Sequence, residues 1–385
     1  MTKRKIKICA ITSTRADYGI MRPLLSKLNK ETWCDLRLYV TGTHMLKEYG
    51  YTVNEIEQDN LKIDVKQTIY PIYDNDILNS VNFMSNLSTD LADYYLNNKI
   101  DVVILLGDRY EINQAASITT LFNIPIIHIA GGETTQGAID EVFRHSITKM
   151  SYLHFASCEE YRKRIIQLGE NPKRVFNVGA LGVENVLNIK CLSKKQLSEN
   201  LNFDLNKPYS VVTFHPVTLE KNSAIKQVKE LMKLIHNHQE MNFIITMANA
   251  DPEGNKINEE WLKFEKKNDN CLVVASLGTL RYFSAIKYCE SVIGNSSSGI
   301  VEVPSFNKPT INIGDRQKGR IQASSIINCK PLAEDIEKAL RKAKRYNGKT
   351  NNPYQKKNTS DMMLKIIKKV FYDNQIDLKK EFYDL

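Results

Sequence analysis

Titratable side chains are concentrated in one short segment of the sequence. Residues 128–145 contain two histidines, one arginine and three carboxylates around a Gly-Gly turn, the carboxylates being Glu133, Asp140 and Glu141. Carboxylates held close together can donate and accept protons, whereas acidic residues at the start of a helix can also be purely structural. Because a structural turn needs few titratable groups, we favour acid–base catalysis for this segment.

A further carboxylate and a histidine directly follow apolar runs. Asp108 comes just after Val102–Leu106, where it is either the N-cap of the next helix or a carboxylate in a ligand cleft. Its position alone favours the cap. His215 ends the run that starts at Tyr209, and a lone histidine in such a place is more often structural than catalytic.

The strongest phosphate-binding signal is the sequence GNSSSG at residues 294–299. Its glycines allow the backbone to approach a ligand closely, its hydroxyls and the following helix N-terminus complement negative charge, and it contains no acidic residue. It is not a P-loop, because the lysine is missing, and it is not a GxGxxG dinucleotide fingerprint. Glu302 follows closely and would repel phosphate, but it could accept hydrogen bonds from sugar hydroxyls.

Two arginines follow other apolar runs. Arg15 lies in the Ser/Thr-rich sequence TSTRADYG, which is either an anion site or a helix cap with a solvated arginine, and spacing favours neither. Arg316 lies in GDRQ, after the run Thr310–Ile313. The residues themselves therefore point to a phosphate-bearing substrate acted on by acid–base chemistry.

Short apolar strands that alternate with helices must position these residues. The first predicted strands are Ile6–Thr12, Leu36–Val40, Val102–Leu106, Ile124–Ile129 and Leu153–Ala156, with helices Ile20–Asn29, Val81–Asn97, Glu111–Phe122 and Asp140–Met150. A second series has strands Tyr209–Phe214, Asn242–Thr246, Cys271–Ala275, Ser291–Ile293 and Thr310–Ile313, with helices Gln227–His236, Thr279–Tyr288 and Ile300–Pro304. Continuously apolar strands predict an α/β fold with two doubly wound, Rossmann-like domains that meet near residues 182–206. Ligands of such sheets bind at the carboxyl ends of the strands.

Composition excludes several other classes of protein. The chain of 385 residues has a net charge of +9, but eleven basic residues and one acidic residue in 338–369 account for the excess. A pair of solvated helices explains this segment, so we expect neither a nucleic-acid nor a membrane partner. Seven scattered cysteines without a CxxC pair predict no metal site and no disulfide framework. The N-terminus lacks signal-peptide features, which predicts a reduced, cytoplasmic compartment.

The motifs occur together and in order, nearly from end to end, as they do in one known family. They are STRADYG, TGTH, GDRYE, HIAGGE, the pair Asp140-Glu141 followed by RHSITK, FHPVT, GNSSSG with Glu302, and GDRQKGR. The sequence resembles the hydrolysing UDP-N-acetylglucosamine 2-epimerases of sialic acid biosynthesis. This resemblance implies the two-domain GT-B architecture with the ligand cleft between the domains. Residues 1–185 would carry the catalytic carboxylates, 186–360 would bind UDP, and 361–385 would form a helix that crosses back to the first domain.

The resemblance also implies a reaction. Loss of the C2 proton and of UDP from C1 gives 2-acetamidoglucal, and water then adds to give N-acetylmannosamine. No cofactor is needed, and a nucleotide-sugar substrate and a homodimer are implied. By matching motif positions, the catalytic residues are Asp108, Asp140, Glu133 and His215. The UDP and sugar set is Arg15, Gly294, Asn295, Ser296, Ser297, Glu302 and Arg316, with Asp17, His44 and Arg109 as further contributors. The cap interpretation of Asp108 thereby gives way to a catalytic one.

One position departs from the family pattern. Many members read HIEGGE, with a catalytic carboxylate where this sequence has Ala130. Alanine transfers no protons, so either Asp108, Glu133 and Asp140 do the acid–base work or the substrate differs. The nearest alternative is the branch that acts on UDP-2,4-diacetamido-2,4,6-trideoxyglucose on the way to legionaminic acid. A GT-B glycosyltransferase, a non-hydrolysing epimerase and a non-catalytic nucleotide-sugar sensor are the other hypotheses.

Overall fold

The computed structural model describes residues 4–47, 50–68, 76–136, 138–217, 220, 223–248, 253–374 and 376–385. Gly137 and Thr218, the last residue of the FHPVT motif, lie outside the described residues. The chain divides into two compact units. The first unit comprises Met1–Glu133, Asp140–Glu184 and Lys356–Leu385, and the second comprises Thr134–Ile139 and Asn185–Gln355.

The first unit is built on a parallel sheet with strand order β3-β2-β1-β4-β5-β6-β7. These strands are β1 Ile6–Thr12, β2 Cys34–Val40, β3 Ile63–Lys66, β4 Val102–Leu106, β5 Ile126–Ile129, β6 Leu153–Ala156 and β7 Val175–Asn177. The helices are α1 Arg15–Leu28, α2 Val53–Gln58, α3 Asp76–Asn97, α4 Tyr110–Leu121, α5 Asp140–Met150, α6 Glu159–Gln167 and, at the unit boundary, α7 Leu181–Asn188. β4 is the central strand, so residues at its carboxyl end lie in the middle of the sheet edge.

The second unit repeats this architecture with strand order β10-β9-β8-β11-β12-β13, again parallel. Its strands are β8 Tyr209–Thr213, β9 Asn242–Thr246, β10 Cys271–Val274, β11 Ser291–Gly294, β12 Thr310–Ile313 and β13 Ile326–Cys329. Its helices are α8 Lys194–Leu201, α9 Ala224–Asn237, α10 Gly254–Glu265, α11 Gly278–Tyr288, α12 Ser297–Val301 and α13 Ala333–Lys344. After α9, His238 lies between the carboxylates of Glu240, at 2.7 Å, and Glu337, at 2.6 Å.

Helices cover both faces of the first sheet. Ile8 and Ala10 of β1 belong to an apolar cluster with residues of α1, whereas Cys9 and Ile11 belong to a cluster with residues of α3 and α4. Successive strand residues point to opposite faces, so a strand buried on both sides must be apolar throughout. The prediction of doubly covered parallel sheets is therefore confirmed.

Most predicted elements agree with the structure to within a few residues, and the differences have local causes. Helix α1 begins at Arg15 rather than Ile20, because Thr14 and Asp17 form a capping box. Helix α12 begins at Ser297 and ends at Val301, where a 3₁₀ turn from Val303 to Phe306 replaces the predicted continuation.

The last helix, α14 Thr359–Ile367, packs on the first unit. Its residues Met363 and Ile367, four positions apart and therefore on one face of the helix, are fully buried in the apolar cluster that contains α1. At its start, Ser360 donates from its backbone N–H and its hydroxyl to the carboxylate of Glu184, both at 2.8 Å. Among the described residues, no helix combines the length and apolar character that a membrane span requires, and no cluster of potential ligands is arranged for a metal ion.

Candidate active site

Asp108 follows the central strand of the first unit, and it is not a helix cap. The N-cap of α4 is Arg109, whose side chain makes no capping hydrogen bond. The Asp108 carboxylate instead accepts a hydrogen bond from the guanidinium of Arg144. About a quarter of the Asp108 side chain is exposed, so this partner fixes the carboxylate while it remains accessible. The cap interpretation was wrong, because a partner distant in sequence holds this side chain.

Arg144 connects three segments of the first unit. Its guanidinium is 1% exposed and donates to Asp108, to Glu141 Oε2 at 2.7 Å and to the backbone carbonyl of Glu133 at 3.0 Å. A buried cation is stable only where carboxylates and further hydrogen bonds compensate its lost hydration. Arg144 therefore sets the relative positions of the β4–α4 loop, the chain after β5 and the first turns of α5.

A buried histidine supports the turn that carries Asp108. His128 Nε2, on β5, donates to the carbonyl of Gly107 at 2.8 Å, and Nδ1 lies 3.2 Å from the hydroxyl of Thr148 on α5. Burial lowers the pKa of His128 to about 3, so the ring is neutral at physiological pH. His128 therefore acts as a fixed structural donor behind Asp108.

The chain after β5 supplies the remaining carboxylates of the first unit. Glu133 is buried and accepts a hydrogen bond from the Ser157 hydroxyl at 2.8 Å. Asp140 begins α5 and is half-buried. Ala130, at the position that departs from the family pattern, has a φ of 65°, the left-handed region in which a side chain costs about 1 kcal/mol.

The loop that carries Arg15 is organised by Asp17 and His44. Asp17 accepts hydrogen bonds from the Thr12 hydroxyl at 2.6 Å and from the backbone N–H and hydroxyl of Ser13. Burial alone would raise the pKa of Asp17, but the nearby His44 ring, whose Nε2 lies 3.8 Å from Asp17 Oδ1, and the hydrogen bonds from Thr12 and Ser13 hold that pKa below the usual value. His44 is fully buried and also contacts Thr12. In the structure these two residues hold the loop in which Arg15 stands.

Arg109 is oriented within its own loop. Its Nε donates to Glu111 Oε1 at 2.6 Å, and its guanidinium lies 5.7 Å from the centre of the Tyr110 ring. Glu111 is only 2% exposed. This buried carboxylate therefore directs Arg109 along the first turn of α4.

The GNSSSG loop of the second unit begins with a residue that must be glycine. Gly294 has a φ of 136°, and a Cβ there would lie 1.9 Å from the carbonyl oxygen of Thr213 on the neighbouring strand β8. The adjacent Asn295 is fully buried. Its side chain exchanges two hydrogen bonds with the backbone of His215, at 2.7 and 2.8 Å. Gly294 and Asn295 thus bring the ends of β8 and β11 into one rigid platform.

Polar side chains surround this platform. Arg316 and Gln317 both donate to the carbonyl of Asn295, at 3.2 and 2.9 Å. Ser296, which is half-buried, is the N-cap of α12, but its hydroxyl makes no capping bond, and Ser297 is exposed. Glu302 is buried at the end of α12. Hydroxyls, loop N–H groups and a guanidinium at one strand edge are suited to bind a phosphate-bearing ligand.

Comparison with known proteins identifies the family. The UDP-N-acetylglucosamine 2-epimerase family matches residues 26–368 of this chain. The chain belongs to this family. It is 40% identical over 343 residues to the hydrolysing GDP/UDP-N,N'-diacetylbacillosamine 2-epimerase of Campylobacter jejuni, covering 89% of this chain and 88% of that protein. It is also 40% identical over 385 residues to polysialic acid biosynthesis protein P7 of Escherichia coli, covering 98% and 97%.

A solved structure of the family supports the fold. The UDP-GlcNAc 2-epimerase of Neisseria meningitidis, bound to UDP-GlcNAc, superposes with a TM-score of 0.78 over 95% of this chain and 100% of that chain. The sequence identity is 17%, so this likeness concerns the fold alone. The predicted two-domain α/β fold and the prediction that the chain is an enzyme of this family are confirmed.

Sequence reasoning did not assign site roles to three residues of this epimerase. Arg144 was noted in the titratable segment, but its pairing with Asp108 depends on a contact across 36 positions. His128 and Gln317 donate hydrogen bonds to the carbonyls of Gly107 and Asn295. They thereby hold the loops that carry the predicted residues. A signal did exist for Arg144, because a basic residue one turn after an acidic pair on a helix can bind one of its members.

Proposed function

We propose that this epimerase converts UDP-N-acetylglucosamine and water into N-acetylmannosamine and UDP. The observation that carries the proposal is the accessible carboxylate of Asp108, held by the buried guanidinium of Arg144 at the carboxyl end of the central strand. The Escherichia coli relative that matches nearly end to end is named for polysialic acid biosynthesis, which supports a place in sialic acid formation.

The first half-reaction is an elimination. A carboxylate, Asp108 or Asp140, removes the proton from C2, the C1–O bond breaks, and its electron pair leaves with UDP while a C1=C2 double bond forms. The C2 proton is weakly acidic, so the base has to be held close to it. Arg15, Arg316, Ser296 and Ser297 would stabilise the charge of the departing diphosphate, with Glu302 on the ribose and His215 near C1.

The second half-reaction adds water to 2-acetamidoglucal. The oxygen of water bonds to C1, its released proton passes to a carboxylate, and C2 receives a proton on the face opposite to the one that lost it. The product is therefore the C2 epimer, N-acetylmannosamine. Two carboxylates on separate segments, Asp108 after β4 and Asp140 at the start of α5, suit such a two-sided proton transfer. Glu133 is the third carboxylate of the set.

Isotope incorporation tests the proposal. The protein is incubated with UDP-N-acetylglucosamine in D₂O, and UDP and N-acetylmannosamine are quantified by chromatography and NMR. We expect stoichiometric UDP and one deuterium at C2. Absence of UDP release, or product that keeps its original C2 proton, would refute the proposal.

Variants test the residue roles. Asp108→Asn and Asp140→Asn should each lower kcat by roughly 10²-fold or more, since proton transfer contributes about that much, while the fold is retained. Asp93→Asn, which changes an exposed carboxylate on α3 of the same unit, is the control and should leave kcat unchanged.

A second candidate substrate has specific support. The Campylobacter jejuni relative, equally identical to this chain, is named for N,N'-diacetylbacillosamine. The same elimination and hydration would convert UDP-2,4-diacetamido-2,4,6-trideoxyglucose, in legionaminic acid formation. Measuring kcat/KM for both nucleotide sugars decides between the two, and a higher value for the diacetamido sugar would replace the first candidate.

A further inference from the structure

A cluster of charged residues lies outside the residues assigned to the reaction and joins the C-terminal tail to the first unit. The carboxylate of Glu170 is fully buried. It accepts hydrogen bonds from Lys149 at 2.7 Å and His154 at 3.1 Å, and it forms an ion pair with Lys380 at 2.8 Å. Burial alone would raise the pKa of Glu170, but these partners lower it to about 2. Glu170 is therefore ionised, and its charge requires the surrounding donors.

Lys380 does more than neutralise this carboxylate. Its Nζ also donates to the backbone carbonyls of Lys149 at 2.8 Å and Ser151 at 2.7 Å. These carbonyls are at the C-terminal end of α5, where carbonyl groups lack partners within the helix and positive charge is favourable. Three oxygens, those of Glu170, Lys149 and Ser151, thus lie within 2.8 Å of Lys380 Nζ, as many as an ammonium group has N–H donors. The tail thus supplies a C-terminal cap to α5.

The tail is held at this position by further contacts. The Phe382 ring, although 65% exposed, lies against Gly169, where a Cβ would be 2.3 Å from the ring. The backbone N–H of Tyr383 donates to the carbonyl of Gly169 at 3.0 Å. Lys149 Nζ lies 5.1 Å from the centre of the Phe382 ring. Chain termini are disordered unless such contacts hold them, so the docking of this tail is specific.

The capped helix is the one that carries part of the active site. Asp140 and Glu141 form the first turn of α5, and Arg144, which holds Asp108, is on the next turn. The helix has 11 residues and is about 16 Å long, so the cap and the carboxylates are at opposite ends of one short rigid element. A shift of about 1 Å at reacting groups can cost roughly 100-fold in rate.

We propose that Lys380 is a positioning residue for the epimerase reaction, acting through α5 on Asp140 and on the Arg144–Asp108 pair. The inference rests on the proposed function for its kinetic consequence. It assigns a role in catalysis to a tail residue that touches neither the substrate nor the reacting atoms.

The test compares three variants of the full chain. Lys380→Met keeps the aliphatic stem and removes the donors, Lys380→Arg keeps donors and charge, and Lys379→Met removes the same charge from an exposed neighbouring position. Measurements are kcat and KM for UDP-N-acetylglucosamine, and amide hydrogen exchange of peptides that cover α5. For Lys380→Met we expect kcat to fall roughly 10-fold to 100-fold, KM to stay within about twofold, and α5 to exchange faster. Lys380→Arg should recover most of kcat, and Lys379→Met should match the wild type.

Each other outcome has a distinct meaning. An unchanged kcat in Lys380→Met, even with a lower Tm, would overturn the inference, because the tail would then only stabilise the fold. If Lys380→Met does not fold, Phe382→Ala loosens the tail while Lys380 remains, and it must lower kcat in the same direction. If the wild type releases no UDP, the proposed function fails, but the exchange data still test whether Lys380 caps α5. Unchanged exchange over α5 in Lys380→Met would refute the capping role.

Discussion

Replacement of Arg144 by methionine is the most direct perturbation of the candidate site. The side chain is 1% exposed and makes two charge-assisted hydrogen bonds and one to a backbone carbonyl. Removing one partner of a buried ion pair costs about 3–5 kcal/mol, because the remaining charges stay without compensation. Asp108 and Glu141 each keep about a quarter of their side chains exposed, so water offsets part of this loss. We therefore expect a loss of about 3 kcal/mol in the free energy of unfolding, at the lower end of that range.

Urea unfolding followed by circular dichroism measures this loss. Arg162→Met is the matched control, because Arg162 pairs with Glu159 at 3.1 Å while both side chains remain partly exposed. Such a pair contributes at most about 1 kcal/mol. Adding Asp108→Asn to Arg144→Met removes one of the uncompensated charges and should restore part of the lost stability. Equal losses in Arg144→Met and Arg162→Met would refute the assignment of Arg144 as the buried connection of the site.

Three further predictions concern the second unit and the reaction. Gly294→Ala should lower the free energy of unfolding by at least about 2 kcal/mol, whereas Gly278→Ala, at a positive φ with open space, should cost about 1 kcal/mol; equal losses in urea melts would contradict the steric argument. Burial alone would lower the pKa of His238, but its two glutamate partners raise that pKa above its usual value. The stabilisation from protonated His238 is therefore fully present below about pH 6.5 and is lost as the pH rises through the pKa of His238 in the folded protein. The Tm difference between wild type and His238→Gln should be larger at about pH 5.5 than at about pH 8.5, and a constant difference would be inconsistent with this. Asp108→Asn should lower kcat/KM for both candidate nucleotide sugars by the same factor, since they share C1 and C2. If UDP-release assays show a different factor for each sugar, Asp108 would instead lie near C4 and C6, where the two sugars differ.

The central strands were predictable because burial on both faces leaves a continuous apolar signal. β1 and β4 have the bounds expected from the sequence alone. Of the four edge strands, the apolar β10 was predicted, whereas β3, β7 and β13 were not, since a strand with one unpaired edge is short and tolerates polar residues. β3, for example, reads IDVK and has no fully buried residue.

The candidate site was predictable as a set of loops but not as a set of contacts. The carboxyl ends of parallel strands meet at one edge of each sheet, so residues such as Asp108 and Asn295 could be placed from the strand pattern. What each side chain binds depends on partners far away in sequence. Asp108 pairs with Arg144, and the Asn295 side chain binds the His215 backbone 80 positions away. Spacing within a motif carries no information about such partners.

The atoms of the sugar that distinguish the two candidate substrates are not the atoms that react. Both candidates present the same C1 and C2, so the proposed proton transfers would apply to either sugar. Of two relatives at 40% identity, one is named for N,N'-diacetylbacillosamine and the other for polysialic acid biosynthesis. The candidates differ at C4 and C6, where UDP-N-acetylglucosamine has hydroxyls and its alternative has an acetamido group and a methyl. A pocket that hydrogen-bonds hydroxyls rejects a deoxy sugar by roughly 10⁴-fold, because its own polar groups lose their partners. An apolar pocket rejects an added hydroxyl by only about 10²-fold. The size of the kcat/KM ratio therefore reports the character of the pocket as well as its preferred substrate: a ratio of thousands for UDP-N-acetylglucosamine indicates polar contacts, and a modest preference for the diacetamido sugar indicates an apolar one.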